Sequence, residues 1–170
     1  MNTFIKSMLF AAAALFAQVS PAAYLDLGLG NSTVEIDDFE GSDTYFKVAI
    51  GGEISDNITA EGGFWNLGEA EDAGVEVSAD GLFGDVKFSH DLNSDTSIFG
   101  KLGLFMWDGE ACAGVCASDD GNDMFYGAGV GFAVGSGTVN IEILMSELGA
   151  DLGDFDVTTI GGSYSIPFGK

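Results

Sequence analysis

The chain has 170 residues, with 27 acidic and five basic side chains, and its formal charge at pH 7 is −22. This charge excludes binding to nucleic acid, because almost nothing could neutralise phosphates. It also excludes a basic patch for anionic lipid head groups, and it favours attraction of cations. The same chain contains 26 glycines, 14 phenylalanines and 46% hydrophobic residues, which is unusual for a soluble protein.

Residues 1–22 predict a secretory signal peptide. The segment carries one early lysine, Lys6, followed by an apolar run at 7–19 and then by small residues. A positive start, an apolar middle and a small-residue cleavage site define such peptides. The apolar run is shorter than the roughly 20 residues that a membrane helix needs. We expect cleavage after Ala22 or Ala23, which leaves residues 23–170 as one domain.

That domain predicts eight β-strands, because the apolar residues recur with a period close to two. Each segment places apolar side chains on one face and glycine or polar side chains on the other. In the fourth segment, Val77, Ala79 and Phe83 share the apolar face, opposite Glu76 and Asp80. The predicted strands are Ala23–Ile36, Thr44–Ile54, Ile58–Leu67, Val75–Phe83, Ser97–Trp107, Met124–Val134, Thr138–Met145 and Asp156–Phe168.

The predicted connections alternate between two kinds. Segments 55–57, 90–95 and 135–137 are short polar turns, whereas 37–43, 68–74, 108–123 and 147–154 are longer and acidic. An up-and-down barrel places alternate connections at opposite ends. We therefore expect all the short turns at one end, together with both chain termini, and four long acidic loops at the other.

Eight such strands can close in two ways. A lipocalin-like barrel is soluble, points its apolar face inward and binds a ligand there, whereas an outer-membrane barrel points that face to lipid. The bare non-apolar face, the strand length and the unequal ends favour the membrane barrel. We also expect aromatic girdles at the two membrane interfaces, formed by Tyr24, Tyr45, Phe64, Trp65, Phe105, Trp107, Phe125, Tyr126, Tyr164 and Phe168.

Several segments of the sequence resemble the OmpA-like transmembrane β-barrel family. They are AEGGFWNLGEA at 60–70, IFGKLGLFMWD at 98–108, DMFYGAGVGFAV at 123–134 and NIEILMSEL at 140–148, followed by a last strand that ends in Phe168. The resemblance covers essentially all of residues 23–170 and keeps the family's order. It implies an all-β, eight-stranded antiparallel up-and-down barrel in the Gram-negative outer membrane, with both termini periplasmic.

The resemblance also implies a charge pair in the lumen. Glu61 and Lys101 occupy positions that match an acid and a base in family members. A second pair found in some members is missing, because Gly131 and Asn140 stand in its place. We therefore expect an emptier, more acidic lumen with Glu76, Asp80 and Glu142 facing it, which leaves open a narrow cation-preferring channel.

The last strand predicts the signal that the outer-membrane assembly machinery reads, formed by Tyr164, Ile166 and Phe168. The family signal usually ends on a terminal aromatic residue, whereas Gly169 and Lys170 follow Phe168 here. Other expected partners are outer-membrane lipids, an extracellular partner at the loops and, weakly, Ca²⁺ or Mg²⁺ at paired loop acids. Solvated charge repulsion is the alternative explanation of those acids, because their spacing fits no defined calcium loop.

Cys112 and Cys116 are the only cysteines, and they lie in the third predicted outer loop. A zinc site needs four ligands, and no second cysteine pair or nearby histidine is present. Because the cell exterior is oxidising, we predict a disulfide. No catalytic constellation or cofactor motif is found. The sequence thus predicts a non-enzymatic structural or surface-interaction barrel, with the narrow channel and the soluble ligand-binding barrel as alternatives.

Overall fold

The computed structural model describes residues 23–36, 39–150 and 153–168. The predicted signal peptide at 1–22 lies outside these residues. The described chain forms one closed barrel in which each strand pairs with its neighbours in sequence and β1 pairs with β8. The strands are β1 Ala23–Ile36, β2 Phe39–Ser55, β3 Ile58–Asp72, β4 Val75–Asp91, β5 Thr96–Cys112, β6 Cys116–Val134, β7 Gly137–Ala150 and β8 Gly153–Pro167.

All eight pairings are antiparallel, which confirms the predicted fold class. Within the described ranges no helix is long and apolar enough to cross a membrane. We call the end with the connections after β2, β4 and β6 the turn end, and the end with the connection between β5 and β6 the disulfide end. Ala23 and Phe168 meet at the turn end, where the Phe168 N–H donates to the Ala23 carbonyl over 2.9 Å.

The predicted long loops are largely strand. The β3–β4 connection contains only Ala73 and Gly74, and β5 continues to Cys112 before β6 begins at Cys116. The prediction of a loop over 108–123 was therefore wrong for most of its length. Acidic residues there break the apolar alternation, but the backbone ladder between β5 and β6 continues to the Cys112–Cys116 pair. Apolar and polar residues alternate only where one face of a strand is in an apolar environment. The alternation therefore disappears where both faces of a strand meet water.

The barrel wall has two seams near the disulfide end. The ladder between β2 and β3 ends at the Phe46–Asn66 pair, and the ladder between β6 and β7 ends at the Phe125–Ser146 pair. Beyond these pairs the strands form two separate sheets, β3 to β6 and β7 to β2.

An aspartate side chain spans each seam. The Glu69 N–H donates to Asp43 Oδ2 over 2.7 Å. At the other seam, the Gly149 N–H donates to Asp123 Oδ2 over 3.2 Å, and the Trp107 indole N–H donates to the same oxygen over 2.7 Å. Side-chain hydrogen bonds therefore hold the two sheets together where the backbone ladder has stopped.

The phase of β4 differs from the predicted one. Phe83 is 1% exposed and Asp85 is 6% exposed, both on the inner face, whereas Phe88 is 52% exposed on the outer face. The sequence interpretation placed Phe83 outward because it assumed that large apolar side chains face lipid. The interior of this barrel is instead rich in aromatic rings, so that assumption reversed the strand.

Inward glycines make space for those rings. A Cβ at Gly103 would lie 2.5 Å from the Phe125 ring, and a Cβ at Gly121 would lie 2.7 Å from the Trp107 ring. No real Cβ contact is that short, so a larger residue would displace the ring. The inner face is rich in glycine, as the sequence predicts, but the lumen is filled because aromatic rings occupy the space that these glycines leave.

Candidate functional site

The lumen near the turn end contains a network of buried charges. Lys101 lies at its centre, with Nζ 2.6 Å from Glu61 Oε2 and 3.1 Å from Glu142 Oε2. All three side chains are at most 3% exposed. These residues come from β5, β3 and β7, so the network joins opposite walls of the barrel.

Two further lysines complete the network. Lys47 forms an ion pair with Glu142, and its Nζ lies 4.0 Å from Asp26 Oδ2. Lys87 Nζ lies 3.3 Å from Glu61 Oε1, and the Tyr24 hydroxyl donates to that same oxygen. With the buried Asp85, four acids face three lysines. Charges out of water need such pairing, since an orphaned buried charge is strongly destabilising.

A chain of neutral polar groups holds Asp26. Ser163 and Ser165 donate to Asp26 Oδ1 over 2.9 and 2.6 Å. The Asn140 amide donates in turn to the two hydroxyls, over 3.2 and 3.0 Å. Asn140 stands where some relatives were expected to carry a lumenal charge. Here it orients the serines that hydrogen-bond to a carboxylate.

An aromatic cluster fills the lumen between the ion network and the disulfide end. Trp65 is at its centre, with ring centroids 5.1 Å from Phe105, 5.4 Å from Phe125 and 6.2 Å from both Phe83 and Tyr45. All five side chains are at most 1% exposed. Edge-to-face and tilted rings at these distances are the favourable arrangements of packed aromatic side chains. The described part of the barrel is thus closed to a continuous water path.

The structure brings only some of the predicted lumen residues together. Glu61, Lys101 and Glu142 belong to the network described above. Glu76 and Asp80 do not, which corrects the expectation that they are lumenal acids. They have the outward phase of β4, opposite Gly81 and Phe83, and Glu76 is exposed. The wrong phase assigned to that strand caused this error.

Sequence reasoning did not select five members of the network: Tyr24, Asp26, Lys47, Asp85 and Lys87. Asp26 and Lys47 have the inward phase in predicted strands, so a search for opposite charges on inward positions could have found them. Asp85 and Lys87 lie beyond Phe83, where the predicted strand ended. The alternation of Val86 and Phe88 with Asp85 and Lys87 continues there, so a longer predicted strand could have found them.

Six of the ten predicted girdle aromatics are inside the barrel. Tyr45, Trp65, Phe105, Trp107 and Phe125 are buried, at most 3% exposed. Tyr24 also points inward, to Glu61. The expectation of interfacial positions for these six was wrong.

Tyr126 and Phe168 are outward, at 58% and 54% exposed. Tyr164 and Ile166 are on the outer face of β8, which ends one residue before Phe168, and the Tyr164 hydroxyl donates to the Val134 carbonyl over 3.1 Å. These three outward residues are the ones expected to form the assembly signal.

The outer face carries a belt of exposed apolar side chains. Its members occur on every strand except β3, where Phe64 is half-buried on the outer face, and they alternate with the lumenal residues. They include Leu27, Leu29, Phe46, Val48, Phe88, Ile98, Leu102, Leu104, Met124, Tyr126, Phe132, Ile141, Met145, Ile160 and Ile166. A continuous apolar belt of this extent indicates a surface that is not in contact with water.

The disulfide end carries the cysteines and an apolar cavity. Cys112 and Cys116 form a disulfide, with their Cα atoms 4.0 Å apart. Glu110 lies beside both sulfur atoms, but disulfide sulfurs are not the thiolates that bind metals. Below the disulfide is a cavity of about 250 Å³, lined by residues that include Leu67, Val77, Ala79, Trp107, Ala111, Leu148 and Val157.

The lysines are distributed very unevenly. Lys47, Lys87 and Lys101 are the lysines of the described ranges, and all three contact lumenal acids. The outer surface of those ranges therefore carries acidic side chains without a lysine among them. The negative charge of this surface attracts cations and repels anions that approach the barrel ends.

The sequence matches the family described as the outer membrane protein β-barrel domain over residues 3–168. No curated protein matches the chain significantly. Neisserial surface protein A is similar in structure, with a TM-score of 0.76 and 9% identity over 86% of this chain and 97% of that chain.

Two other outer-membrane proteins are also similar. OprG from Pseudomonas aeruginosa has a TM-score of 0.56 and 12% identity, over 90% of this chain and 99% of that one. Ail, the attachment invasion locus protein of Yersinia pestis, has a TM-score of 0.53 and 17% identity, over 87% and 100%. At such identities the likeness is one of fold.

Proposed function

Because the chain belongs to the outer membrane protein β-barrel domain family, we propose that it is a non-enzymatic scaffold that presents an acidic surface outside the cell. The observation that carries this proposal is the closed lumen: a buried ion network lies against an aromatic cluster centred on Trp65. A barrel closed in this way acts through its surfaces. No cofactor enters the proposal.

The proposed orientation places the disulfide end outside the cell and both termini in the periplasm. Two observations support it. In hydrocarbon every backbone N–H and C=O must be paired, so the seams above Phe46–Asn66 and Phe125–Ser146 belong outside the bilayer. Short periplasmic turns and larger outer extensions are typical of such barrels, and the strands beyond the seams form the larger extension.

The proposed partners follow from the surfaces. Outer-membrane lipids cover the apolar belt, and the assembly machinery binds Tyr164 and Ile166 on β8 together with Phe168 just after it. An extracellular partner with a basic surface fits the disulfide end. Acids there also attract Ca²⁺ or Mg²⁺ weakly. Nucleic acid is not a partner, because the lysines of the described ranges point into the lumen.

Two other functions fit the structure less well. The soluble ligand-binding barrel needs its apolar face inside, whereas here the apolar belt faces outward. The cation-preferring channel needs a water path, whereas Trp65, Phe83, Phe105 and Phe125 fill the lumen beside the ion network. Lysines also balance three of the four lumenal acids, so the lumen is less acidic than the sequence predicts.

Fractionation tests the location. After expression in a Gram-negative host, the protein should sediment with outer membranes, and its gel mobility should change on heating. Recovery as a soluble periplasmic protein would exclude the proposal.

A second experiment tests the orientation. In a Cys112→Ser/Cys116→Ser background, a single cysteine replaces the exposed Ser136 at the turn end. Ala113→Cys in the same background is the matched variant at the disulfide end.

An impermeant maleimide added to whole cells should label the Ala113→Cys protein and not the Ser136→Cys protein. Both proteins should react after the cells are lysed. The reverse labelling would overturn the proposed orientation without affecting the assignment to the outer membrane.

A further inference from the structure

The cavity at the disulfide end is a cup between the two sheets that the seams separate. Its walls come from both sheets: Leu67, Val77 and Ala111 on one side, and Val34 and Val157 on the other. Its floor includes Trp107, which is 3% exposed and covers the aromatic cluster. The cup therefore ends on a packed core and does not continue into the lumenal ion network.

The lining of the cup is mostly apolar. Eleven of its 17 residues are alanine, valine, leucine, phenylalanine or tryptophan. Glu110 and Ser118 line it and are also exposed, so the cup reaches the surface. Its volume of about 250 Å³ is just below the range of about 300–1,000 Å³ typical of small-molecule sites. A single short alkyl chain or one ring is the size of ligand that fits.

The charges around the cup are of one sign. Its charged lining residues are Glu110 and Asp119, and Glu76 is exposed on the strand next to Glu110. The lysines of the described ranges lie on the far side of the aromatic cluster, paired with lumenal acids. The field at the mouth of the cup therefore attracts cations and repels anions.

From these observations we propose that the cup is a binding site for small cationic amphiphiles, such as primary alkylamines. The apolar tail enters between the two sheets and covers the Trp107 ring, and the ammonium group stays at the mouth beside Glu110. An alkyl carboxylate of the same length fits the walls equally well but places its charge among acids. The site thus selects by the sign of the head group.

The test uses the full chain in nanodiscs of zwitterionic phosphatidylcholine. Hexylamine and hexanoate are titrated separately, and the methyl resonances of Ala79 and Ala111 report occupancy of the cup. Hexylamine should shift these resonances in a saturable way and bind at least about fivefold more tightly than hexanoate, as one close charge pair near the surface provides. Absence of saturation, or equal affinity for both probes, would overturn the proposal.

Two pairs of variants locate the site. Ala111→Phe fills the cup and should weaken hexylamine binding by at least about tenfold, because the tail loses the apolar surface that it buries. Ala113→Phe adds the same ring to the exposed hairpin tip, outside the cup, and should leave binding unchanged. Equal affinities for these two variants would place the amine elsewhere.

Glu110→Gln tests the charge separately from the fold, because Glu110 is exposed. It should weaken hexylamine binding by about threefold to fivefold and leave hexanoate binding the same or tighter. Asp56→Asn, which removes one exposed acid at the turn end, should change neither. If both variants weaken amine binding alike, the attraction is only that of the overall negative charge, and the proposed site is wrong.

Discussion

Single residues hold the lumen together through shared partners. Lys101 contacts Glu61 and Glu142, Lys47 contacts Glu142 and lies near Asp26, and Lys87 contacts Glu61. Because each lysine reaches a carboxylate that another lysine also contacts or approaches, the network behaves as a unit. The intact pairs add little to the free energy of unfolding, whereas removing one partner strongly destabilises the fold because it leaves a buried charge unpaired.

Replacing Lys101 by Met should lower the free energy of unfolding by about 3–5 kcal/mol, since the four lumenal acids then face two lysines. Urea unfolding in phosphatidylcholine vesicles, followed by tryptophan fluorescence, measures this change. The matched variant Lys101→Met/Glu142→Gln removes one charge of each sign and should recover part of the loss. A double variant less stable than the single one would contradict the shared-network interpretation.

Asp43 at the β2–β3 seam makes the stability of the folded barrel depend on pH. Hydrogen bonds from the backbone N–H groups of Glu69 and Thr44 lower the pKa of Asp43 below its ordinary value of 3.8. The folded protein thus binds this proton less readily than the unfolded chain does. The resulting stabilisation is complete above about pH 4 and is lost as the pH falls through the lowered pKa.

Asp43→Ala should therefore speed hydrogen exchange of the Glu69 amide by about fivefold at pH 7, corresponding to one lost hydrogen bond. Below pH 3 the difference from the unmodified protein should shrink, because the carboxyl group is then increasingly protonated. A difference that stays constant as the pH falls well below 3 would show that the carboxylate charge is not responsible. Asp56→Asn, at a turn, is the control.

Among the elements, β4 shows most clearly how the interior sets a strand's phase. Its inner face carries Phe83 in the aromatic cluster and Asp85 in the lumen, and its outer face carries Phe88 in the apolar belt. Both faces therefore hold large apolar side chains, and period-two alternation does not distinguish them. The packing of Phe83 against Trp65 and Phe125, at centroid distances of 6.2 and 6.0 Å, accompanies this phase.

Phe83→Ala should lower the free energy of unfolding by about 3–5 kcal/mol, because it leaves a cavity among packed rings. Phe88→Ala removes the same atoms from the outer face, where lipid tails fill the space, and should cost less than half as much. The comparison uses the same urea titration in vesicles. Equal losses, or a larger loss for Phe88→Ala, would contradict the phase of β4 described above.

At the scale of the whole molecule, the barrel has three layers along its axis. An ion network lies near the turn end, an aromatic cluster follows, and an apolar cup opens at the disulfide end. The two inner layers close the lumen, while the seams divide the wall around the cup into two sheets. The closed layers suit a rigid membrane scaffold, and the cup is the part that remains open to a ligand.

The unmodified protein should therefore show no steady ion conductance when it is reconstituted into planar bilayers. The physical reason is the absence of a continuous water path through the Trp65 cluster. A known porin, reconstituted in the same way, provides the positive control for insertion. Sustained single-channel openings that scale with the amount of folded protein would favour the cation-preferring channel instead.

The sequence by itself determined the number of strands, the antiparallel order and the direction of the outer face on seven strands. The strands follow from local alternation, which the chain carries residue by residue. The order follows from the alternating connections, and the outer face follows mainly from the glycine-rich character of the opposite face. The Cys112–Cys116 bond also followed from the presence of only two cysteines and from an oxidising compartment. Glu61 and Lys101 could be brought together because both lie on inward positions of strands that were predicted correctly.

Only the tertiary structure decided what fills the barrel. The inward phase of Phe83, the outward phase of Glu76 and Asp80, and the membership of Lys47 and Lys87 in the ion network depend on which walls face each other across the lumen. The tertiary structure also decided how far the strands extend beyond the seams. There the backbone ladder continues although the apolar alternation has stopped, because pairing between strands does not require one face to be apolar.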